Sequence, residues 1–426
     1  MKIAPAAALV GDVAVPGVKG ISQRGVLLGA IAEGESELRG FGHAADTDVA
    51  ITAVRALGVE VSEPSADVVR IEGRGLRGLV APAGPIDCEN AGTVLRLLAG
   101  ILAGQDGRFE LTGDSSLSTR PVRVQEPLAR MGARVETNDG RPPMTIEGAR
   151  LEPIRYELPM ASAQLKSSVL LAGLLAGTGP TTVVEPLPTR DHTERLLSSL
   201  GVRLRRNGHA ISVWPPEELA PLSIDVSGDF SSAAPLVVAA TLLSGSDLRI
   251  HDVNLNPTRI GLLDVLARMG ARVTIFNRRS SAGEPVGDLE IRSAELVATE
   301  IGAPEVPLLV DELPLFALAA AHARGTSVVR GAAELRVKET DRIETVTSSL
   351  RALGVRIDAT EDGFRIRGVP ARPRGGSMSS SGDHRIAMLG AVAGLVSLEG
   401  VELQDAEAVA VSFPGFFELL DSVTQR

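Results

Sequence analysis

The chain has 426 residues, of which 44% are apolar, 23% charged and only 3% aromatic, with a net charge of −10. That length supplies full cores for two domains, while the scarcity of aromatics and the absence of a basic run exclude nucleic acid as a partner. One cysteine excludes a disulfide framework, and no apolar run reaches the ~18 residues of a membrane span, the longest lying around Ile386 to Leu398.

The N-terminus carries a single Lys, and Pro5 and Gly11 interrupt its apolar stretch, so it is a poor signal peptide and a cytoplasmic location is expected. Lys2 to Val15 reads as strand. From there one unit recurs six times: an apolar helical run, a Gly-containing turn, then a strand. The copies begin at Ser22, Asn90, Ser162, Asp229, Asp311 and Asp383, roughly 65–85 residues apart, a spacing suited to small α/β subdomains. Each start is a polar residue able to cap a helix, and helix N-termini offer free N–H groups to anions.

A second helix repeats in phase. It ends in Leu or Met, then Gly, then a strand, as in VRALGVEV, LARMGARV (twice), LSSLGVRL and LRALGVRI. Gly58, Gly132, Gly201, Gly270 and Gly354 stand where a helix end needs positive φ. The sixth copy, PGFFELLDSV, runs into Arg426, so its closing strand is missing unless the N-terminus supplies it. The expected fold is α/β (α+β): two domains of three repeated helix–strand subdomains each. Residues 1–18 with 228–426 form one domain and 19–227 the other, with hinges near 17–19 and 226–228.

Several signals along the chain are weak. GRGLRG (Gly73 to Gly78) matches a dinucleotide fingerprint, but no helix follows, so it reads as a turn. Cys88 reads as a small buried hydrophobe rather than a nucleophile. DHTE (Asp191 to Glu194) reads as a helix cap rather than metal ligands, and no His or Cys cluster has zinc spacing, so no metal and no cofactor are expected.

The strong signals lie at the mouths of the repeats. Gly331 to Ile343 packs Glu334, Arg336, Lys338, Glu339, Asp341 and Arg342 between a strand and a helix that Thr340 or Asp341 would cap. Lys19 and Arg24 flank the first mouth, Arg120 precedes Pro121, Arg190 precedes Asp191, and His384 and Arg385 follow Asp383. Arginine's planar fork suits carboxylate and phosphate. The residues alone therefore indicate a metal-free enzyme for small polyanions, with Asp311, Glu339 and, as a further candidate, His384 carrying protons.

At these residues the chain resembles the 5-enolpyruvylshikimate-3-phosphate synthase family of enolpyruvyl transferases. The stretches that carry the resemblance run through essentially the whole chain. They include VPGVKGISQRG, NAGTVLRLLAG, LTGDSSLSTRPV, LPMASAQLKSS, TRDHTERLL, SGDFSSAAPL, LNPTRIGLLDVL, VDELPLFALAAA, ELRVKETDRI, GDHRIAM and SFPGF. The resemblance implies a monomeric two-domain inverse α/β barrel that closes on substrate. It implies transfer of an enolpyruvyl group from phosphoenolpyruvate to the 5-hydroxyl of shikimate 3-phosphate, with release of phosphate.

It also implies residue roles. Lys19, Gly20, Arg24, Ser162, Ala163, Gln164, Asp311 and Lys338 would bind shikimate 3-phosphate. Lys19, Gly92, Arg120, Gln164, Arg342 and Arg385 would bind phosphoenolpyruvate, where its mimic glyphosate would compete. Asp311 would be the base, Glu339 the acid and Lys19 a third catalytic group, with His384 and Arg190 as further candidates. The domain of residues 19–227 would bind mainly the shikimate substrate and the other mainly phosphoenolpyruvate.

The chain departs from the family pattern at four places: Gly20 for Ser, Gln23 for His or Asn, Glu89 for Gly and Val411 for Lys. Gly20 has two readings, a missing hydroxyl or a backbone at positive φ. A sister transferase that acts on UDP-N-acetylglucosamine usually carries Cys in the loop before Arg120, which here is GDSSLST. A non-catalytic anion sensor is the rival from another class, and intact Lys19, Asp311 and Glu339 speak against it.

Overall fold

The computed structural model describes residues 1–426, which divide into two compact units. The first comprises Gly17–Val226 with Ser280–Glu284. The second comprises Met1–Pro16, Ser227–Arg279 and Pro285–Arg426. Each has its own apolar core.

Six inner helices recur at the repeat spacing: α1 (Lys19–Ala30), α3 (Gly92–Leu102), α5 (Ala163–Gly173), α7 (Phe230–Leu242), α10 (Leu313–His322) and α12 (His384–Val396). Their runs of Ala, Leu, Val and Gly bury nearly every face. Outer helices alternate with them: α2 (Ala45–Ala56), α4 (Gln125–Arg130), α6 (His192–Ser199), α8 (Gly261–Arg268), α11 (Arg342–Ala352) and α13 (Phe416–Val423), with a short α9 (Val306–Leu309) before α10. The glycines at 58, 132, 201, 270 and 354 follow the outer helices with φ between 77° and 112°, so the periodic Gly does mark helix ends.

The first unit repeats one sheet three times. Ser223–Asp225, Glu33–Arg39, Val68–Arg74 and Glu60–Ser65 form the first. Ile86–Asp87, Arg108–Thr112, Arg141–Glu147 and Arg134–Asn138 form the second. Arg155–Glu157, Thr181–Val184, Ala210–Val213 and Leu204–Asn207 form the third. In each, the first pair is parallel and the others antiparallel. The second unit repeats this order in Glu300–Ile301, Gly325–Val329, Gly363–Gly368 and Arg356–Thr360.

The N-terminal segment is not one strand. Pro5 has no N–H to give to a ladder, and the chain breaks there into Lys2–Ile3 and Ala8–Ala14, which join different sheets. Lys2–Ile3 lies antiparallel to Val401–Gln404, itself parallel to Gly376–Ser379. Ala8–Ala14 lies parallel to Asp247–Asn254 and antiparallel to Thr424–Gln425. GRGLRG begins as the last two residues of Val68–Arg74 and continues into a turn, with no helix after it. Cys88 is fully buried, and burial pushes its thiol up to about 12. No helix is long and apolar enough to cross a membrane.

Candidate functional site

In the first unit, α1 and α5 both pack on α3, so their N-termini gather. The first helix begins at Lys19 rather than Ser22. Val18 stands at its N-cap, and its carbonyl receives Ile21 and Ser22 N–H, so no polar side chain is used. Lys19 thus opens α1, and its ammonium meets Asp46 Oδ2 in the first turn of α2. Gln23 Nε2 donates to Asp46 O at 2.7 Å and fixes the same turn.

Arg24, one turn further along α1, is buried. It donates to Gly20 O (2.8 Å), Thr193 Oγ1 (2.7 Å) and Ser167 Oγ (3.2 Å), and the two hydroxyls lie 2.7 Å apart. All three acceptors are neutral. Burial therefore lowers the guanidinium to about 10, although Glu194 and Glu284 work the other way. A buried cation held by neutral acceptors gains from a nearby anion.

Arg96 of α3 is also buried and also ends on neutral acceptors. It reaches Gly92 O (3.0 Å), Gln164 Oε1 (2.7 Å), Pro121 O (2.7 Å) and Val122 O (3.2 Å). Burial again lowers it to about 10. One guanidinium thus ties together Gly92, Gln164 and the turn that carries Arg120. A Cβ on Gly92 would lie 2.7 Å from Arg96 Nη1, so glycine is what lets the fork reach back over the helix start. Arg120 donates to Asn90 Oδ1 and Ser116 Oγ, both at 2.8 Å. Gln164 Nε2 donates to Thr93 Oγ1 (2.9 Å). Ser162 caps α5 through Leu165 N (3.3 Å), and Ala163 is the first residue of that helix.

Arg190 lies half-buried just before Asp191, the N-cap residue of α6, whose carboxylate receives Arg195 Nε at 2.9 Å. His192 is buried against Glu284 (2.8 Å). Lys166 is wholly buried between Glu185 (3.0 Å) and Glu194 (2.8 Å), bracing α5 against α6.

In the second unit, α7, α10 and α12 pack together in the same way. Asp229 caps α7 through Ser231 N (2.8 Å), and Asp383 caps α12 through Arg385 N (2.9 Å). The caps expected at Ser22, Asn90 and Asp311 do not form: α1, α3 and α10 have Val18, Ala91 and Glu312 at their N-caps. Asn90 instead bridges Arg120 and Asp114. Asp311 sits in a 3₁₀ turn, Val310–Glu312, which carries its carboxylate to two arginines.

Arg342 opens α11 and is almost entirely buried. It donates to Asp383 Oδ2 (2.8 Å) and Oδ1 (3.1 Å) and to Glu339 Oε2 (2.7 Å), and its Nη1 lies 3.5 Å from Asp311 Oδ1. Burial works to lower its pKa, but Glu339, Asp383 and Asp311 prevail and raise it. Burial likewise works to raise Glu339, and Arg342 and His384 outweigh it, holding that carboxyl below its usual range.

Asp341 caps α11 through Ile343 and Glu344 N (both 3.1 Å), while Thr340 donates to Asp383 instead. His384, half-buried, is the first residue of α12. Lys338 pairs with Glu334.

Arg385 owes its place to a proline. Pro235 inside α7 has no N–H to give Ser231 O, and Arg385 Nη1 donates to that carbonyl at 3.3 Å. It also lies 3.6 Å from Glu312.

The structure therefore brings Lys19, Gly20, Arg24, Gly92, Arg120, Ser162, Ala163 and Gln164 to gathered helix starts in one unit. It brings Asp311, Glu339, Arg342, His384 and Arg385 together in the other. Asp46, Arg96, Ser167, Thr193 and Arg259 complete these networks without having stood out in the sequence. Only Pro235, a proline within an apolar helical run, gave a local signal.

The family model for EPSP synthase (3-phosphoshikimate 1-carboxyvinyltransferase) matches residues 3–420. The 3-phosphoshikimate 1-carboxyvinyltransferase of Desulforudis audaxviator is 48% identical over 426 residues, 99% of each chain. That of Lactiplantibacillus plantarum is 48% identical over 433 aligned residues, covering 100% of this chain and 99% of its own. A solved EPSP synthase from Acinetobacter baumannii superposes with a TM-score of 0.92 at 42% identity, covering 99% of this chain and 98% of that one. The two-domain inverse-barrel architecture expected for the chain is that of this structure. The chain belongs to the EPSP synthase (3-phosphoshikimate 1-carboxyvinyltransferase) family.

Proposed function

We propose a division of labour among these residues in the reaction of the family. The enzyme transfers the enolpyruvyl group of phosphoenolpyruvate to shikimate 3-phosphate, a step of aromatic amino-acid biosynthesis. The observation that carries the assignment of roles is the pair of buried arginines, Arg24 and Arg96, that end on neutral acceptors beside Lys19 and Arg120. Neither fork ends on a carboxylate, and both substrates are polyanions.

Lys19, Arg24, Ser162, Ala163, Gln164 and Lys338 bind shikimate 3-phosphate, with Gly20 at the place of the usual serine and Arg190 adding a cation. Arg120, Arg342 and Arg385 clamp phosphoenolpyruvate, with Lys19, Gly92 and Gln164 lining its site. Glyphosate, which mimics that substrate, competes there. Asp311 takes the proton of the 5-hydroxyl. Glu339 delivers a proton to the methylene carbon as the 5-oxygen bonds to the carbon beside it. The bond from that carbon to phosphate then breaks, and the new methyl group gives back a proton to restore the double bond. Lys19 and His384 are further groups for charge and proton transfer. Arg342 holds the Glu339 carboxyl down. An anion seated on that guanidinium offsets it and lets the carboxyl take up the proton that it then delivers.

The unit of Gly17–Val226 serves mainly the shikimate substrate and the other mainly phosphoenolpyruvate. The short crossings at 17–19 and 226–228 act as the hinge for closure. The enzyme works as a cytoplasmic monomer.

Phosphate release tests this reading. With both substrates and a chelator present, phosphate appears. Asp311→Asn and Glu339→Gln each lower kcat by about 10²–10⁴-fold while the protein stays folded. Activity with UDP-N-acetylglucosamine alone, or losses below about threefold in both variants, would overturn the assignment.

A further inference from the structure

Arg259 lies between strand Asp247–Asn254 and α8, in the stretch LNPTRIG. Its side chain is 8% exposed. Unlike Arg24 and Arg96, it is surrounded by carboxylates. Its Nη1 donates to Asp311 Oδ2 at 3.2 Å, and its Nη2 reaches Asp229 Oδ1 (3.5 Å) and Ser231 Oγ (2.5 Å). Ser231 in turn donates to Glu312. The other oxygen of Asp311 faces Arg342 Nη1 at 3.5 Å. Each carboxylate oxygen of Asp311 therefore has its own guanidinium, one on either side.

The two arginines differ in what else they do. Arg342 opens a helix and stands beside Glu339. Arg259 divides its fork between Asp311 and the capped start of α7, which Asp229 fixes. We infer that Arg259 is a positioning residue for Asp311: it sets the plane of the carboxylate and keeps it charged while Arg342 engages an anionic substrate. This rests on the reading of Asp311 as the base. A base needs its free lone pair aimed at the hydroxyl proton, and a 1 Å misplacement costs rate rather than affinity. The charged groups around Asp311 are Arg259 before α8, Arg342 of α11, Asp229 at the start of α7 and Glu312 beside it. Arg385 and Asp383 lie at the start of α12, and Glu339 precedes α11.

Steady-state kinetics of Arg259→Gln and Arg259→Lys, each as a pH profile of kcat, tests the inference, with Asp311→Asn as the control. In Arg259→Gln, kcat falls by about 10²-fold with the KM of both substrates within about threefold of wild type. Removing a neighbouring cation disfavours the ionised carboxylate, so the acid limb of the kcat profile moves up by about one pH unit. Arg259→Lys restores the limb because it restores the charge. It recovers the rate only in part, because an ammonium cannot reproduce the fork.

A kcat within about threefold of wild type overturns the inference, as does a fall in rate with the acid limb unmoved. If Asp311→Asn keeps its activity, the base reading fails and this inference falls with it, a result distinct from failure of the Arg259 variants alone. Should Arg259→Gln fail to fold, Arg259→Lys decides: kcat at least about tenfold lower at unchanged KM supports positioning, and wild-type kcat overturns it.

Discussion

Gly20 lies inside α1 with ordinary helical backbone, so the reading that it needs positive φ does not hold. A Cβ there would meet Arg24 Nη1 at 3.2 Å and His192 Cδ2 at 4.0 Å. The first contact is tight, but it is to the end of a flexible side chain. Serine therefore fits with a small shift of Arg24. A hydrogen bond to a charged group is worth about 1.5–3 kcal/mol, and the crowding brings the gain towards the lower end. Gly20→Ser should lower KM for shikimate 3-phosphate by about tenfold and leave that for phosphoenolpyruvate within about twofold. A flat or raised KM for shikimate 3-phosphate in steady-state assays would dispose of the missing-hydroxyl account.

Asp383 has a fully buried carboxylate that caps α12 and receives the fork of Arg342. Burial works to raise it, and Arg342 more than offsets this, so its folded pKa lies below the ordinary value of 3.8. A depressed folded pKa contributes stability that is present above the unfolded value and lost as pH falls through the folded one. Asp383→Asn should therefore lower stability at pH 7 by about 2 kcal/mol. The gap from wild type should stay flat down to about pH 5 and narrow below about pH 4. Thermal unfolding of both proteins across that range checks it, and a gap that widens in acid would contradict the assignment.

Among the elements, α7 shows how a local defect serves the site. Its interior Pro235 leaves the carbonyl of Ser231 without a helical donor, and Arg385 fills the vacancy. Pro235→Ala would supply an N–H to that carbonyl and compete with the guanidinium. The helix gains a bond and loses a kink former. Thermal stability should hold or rise, while KM for phosphoenolpyruvate rises by roughly threefold to tenfold, the loss of about one hydrogen bond. A melting temperature well below wild type, or an unchanged KM, would show that the proline acts only in packing.

The inner helices were legible because their apolar runs and Gly turns repeat at one spacing. The helix ends were less so: Asp229, Ser162 and Asp383 cap their helices, but Val18, Ala91 and Glu312 occupy the other N-caps. The site cations were legible because they sit next to helix starts in the sequence. Their partners were not, because Asp46 and Thr193 lie 27 and 169 residues from the Lys19 and Arg24 they hold, and Arg259 lies 52 residues from the Asp311 it meets. Only the fold brings such pairs together.

At the scale of the whole molecule, the first fourteen residues tie distant parts of the second unit. Ala8–Ala14 is an interior strand, parallel to Asp247–Asn254 on one side and paired with Thr424–Gln425 on the other. Leu9 and Val13 are buried in that unit's core. Lys2–Ile3 pairs with Val401–Gln404, and the terminal ammonium of Met1 donates to Leu403 O at 2.7 Å. Ile3 abuts Gly394 of α12, where a Cβ would lie only 2.6 Å from it. Removing these residues would open an interior edge in one sheet and take a strand from another. Each large apolar side chain lost is worth about 1.5–3 kcal/mol. The unpaired ladder adds to that, against a total stability of only about 5–15 kcal/mol. A chain beginning at Val15 should therefore lose the second unit's fold while Gly17–Val226, with its separate core, keeps its own. Limited proteolysis should yield a protected fragment near those bounds, and activity should vanish. A truncated chain that melts within about 4 °C of the full one, a shift worth only ~1–2 kcal/mol in a protein of this size, would show that the N-terminal strands are dispensable.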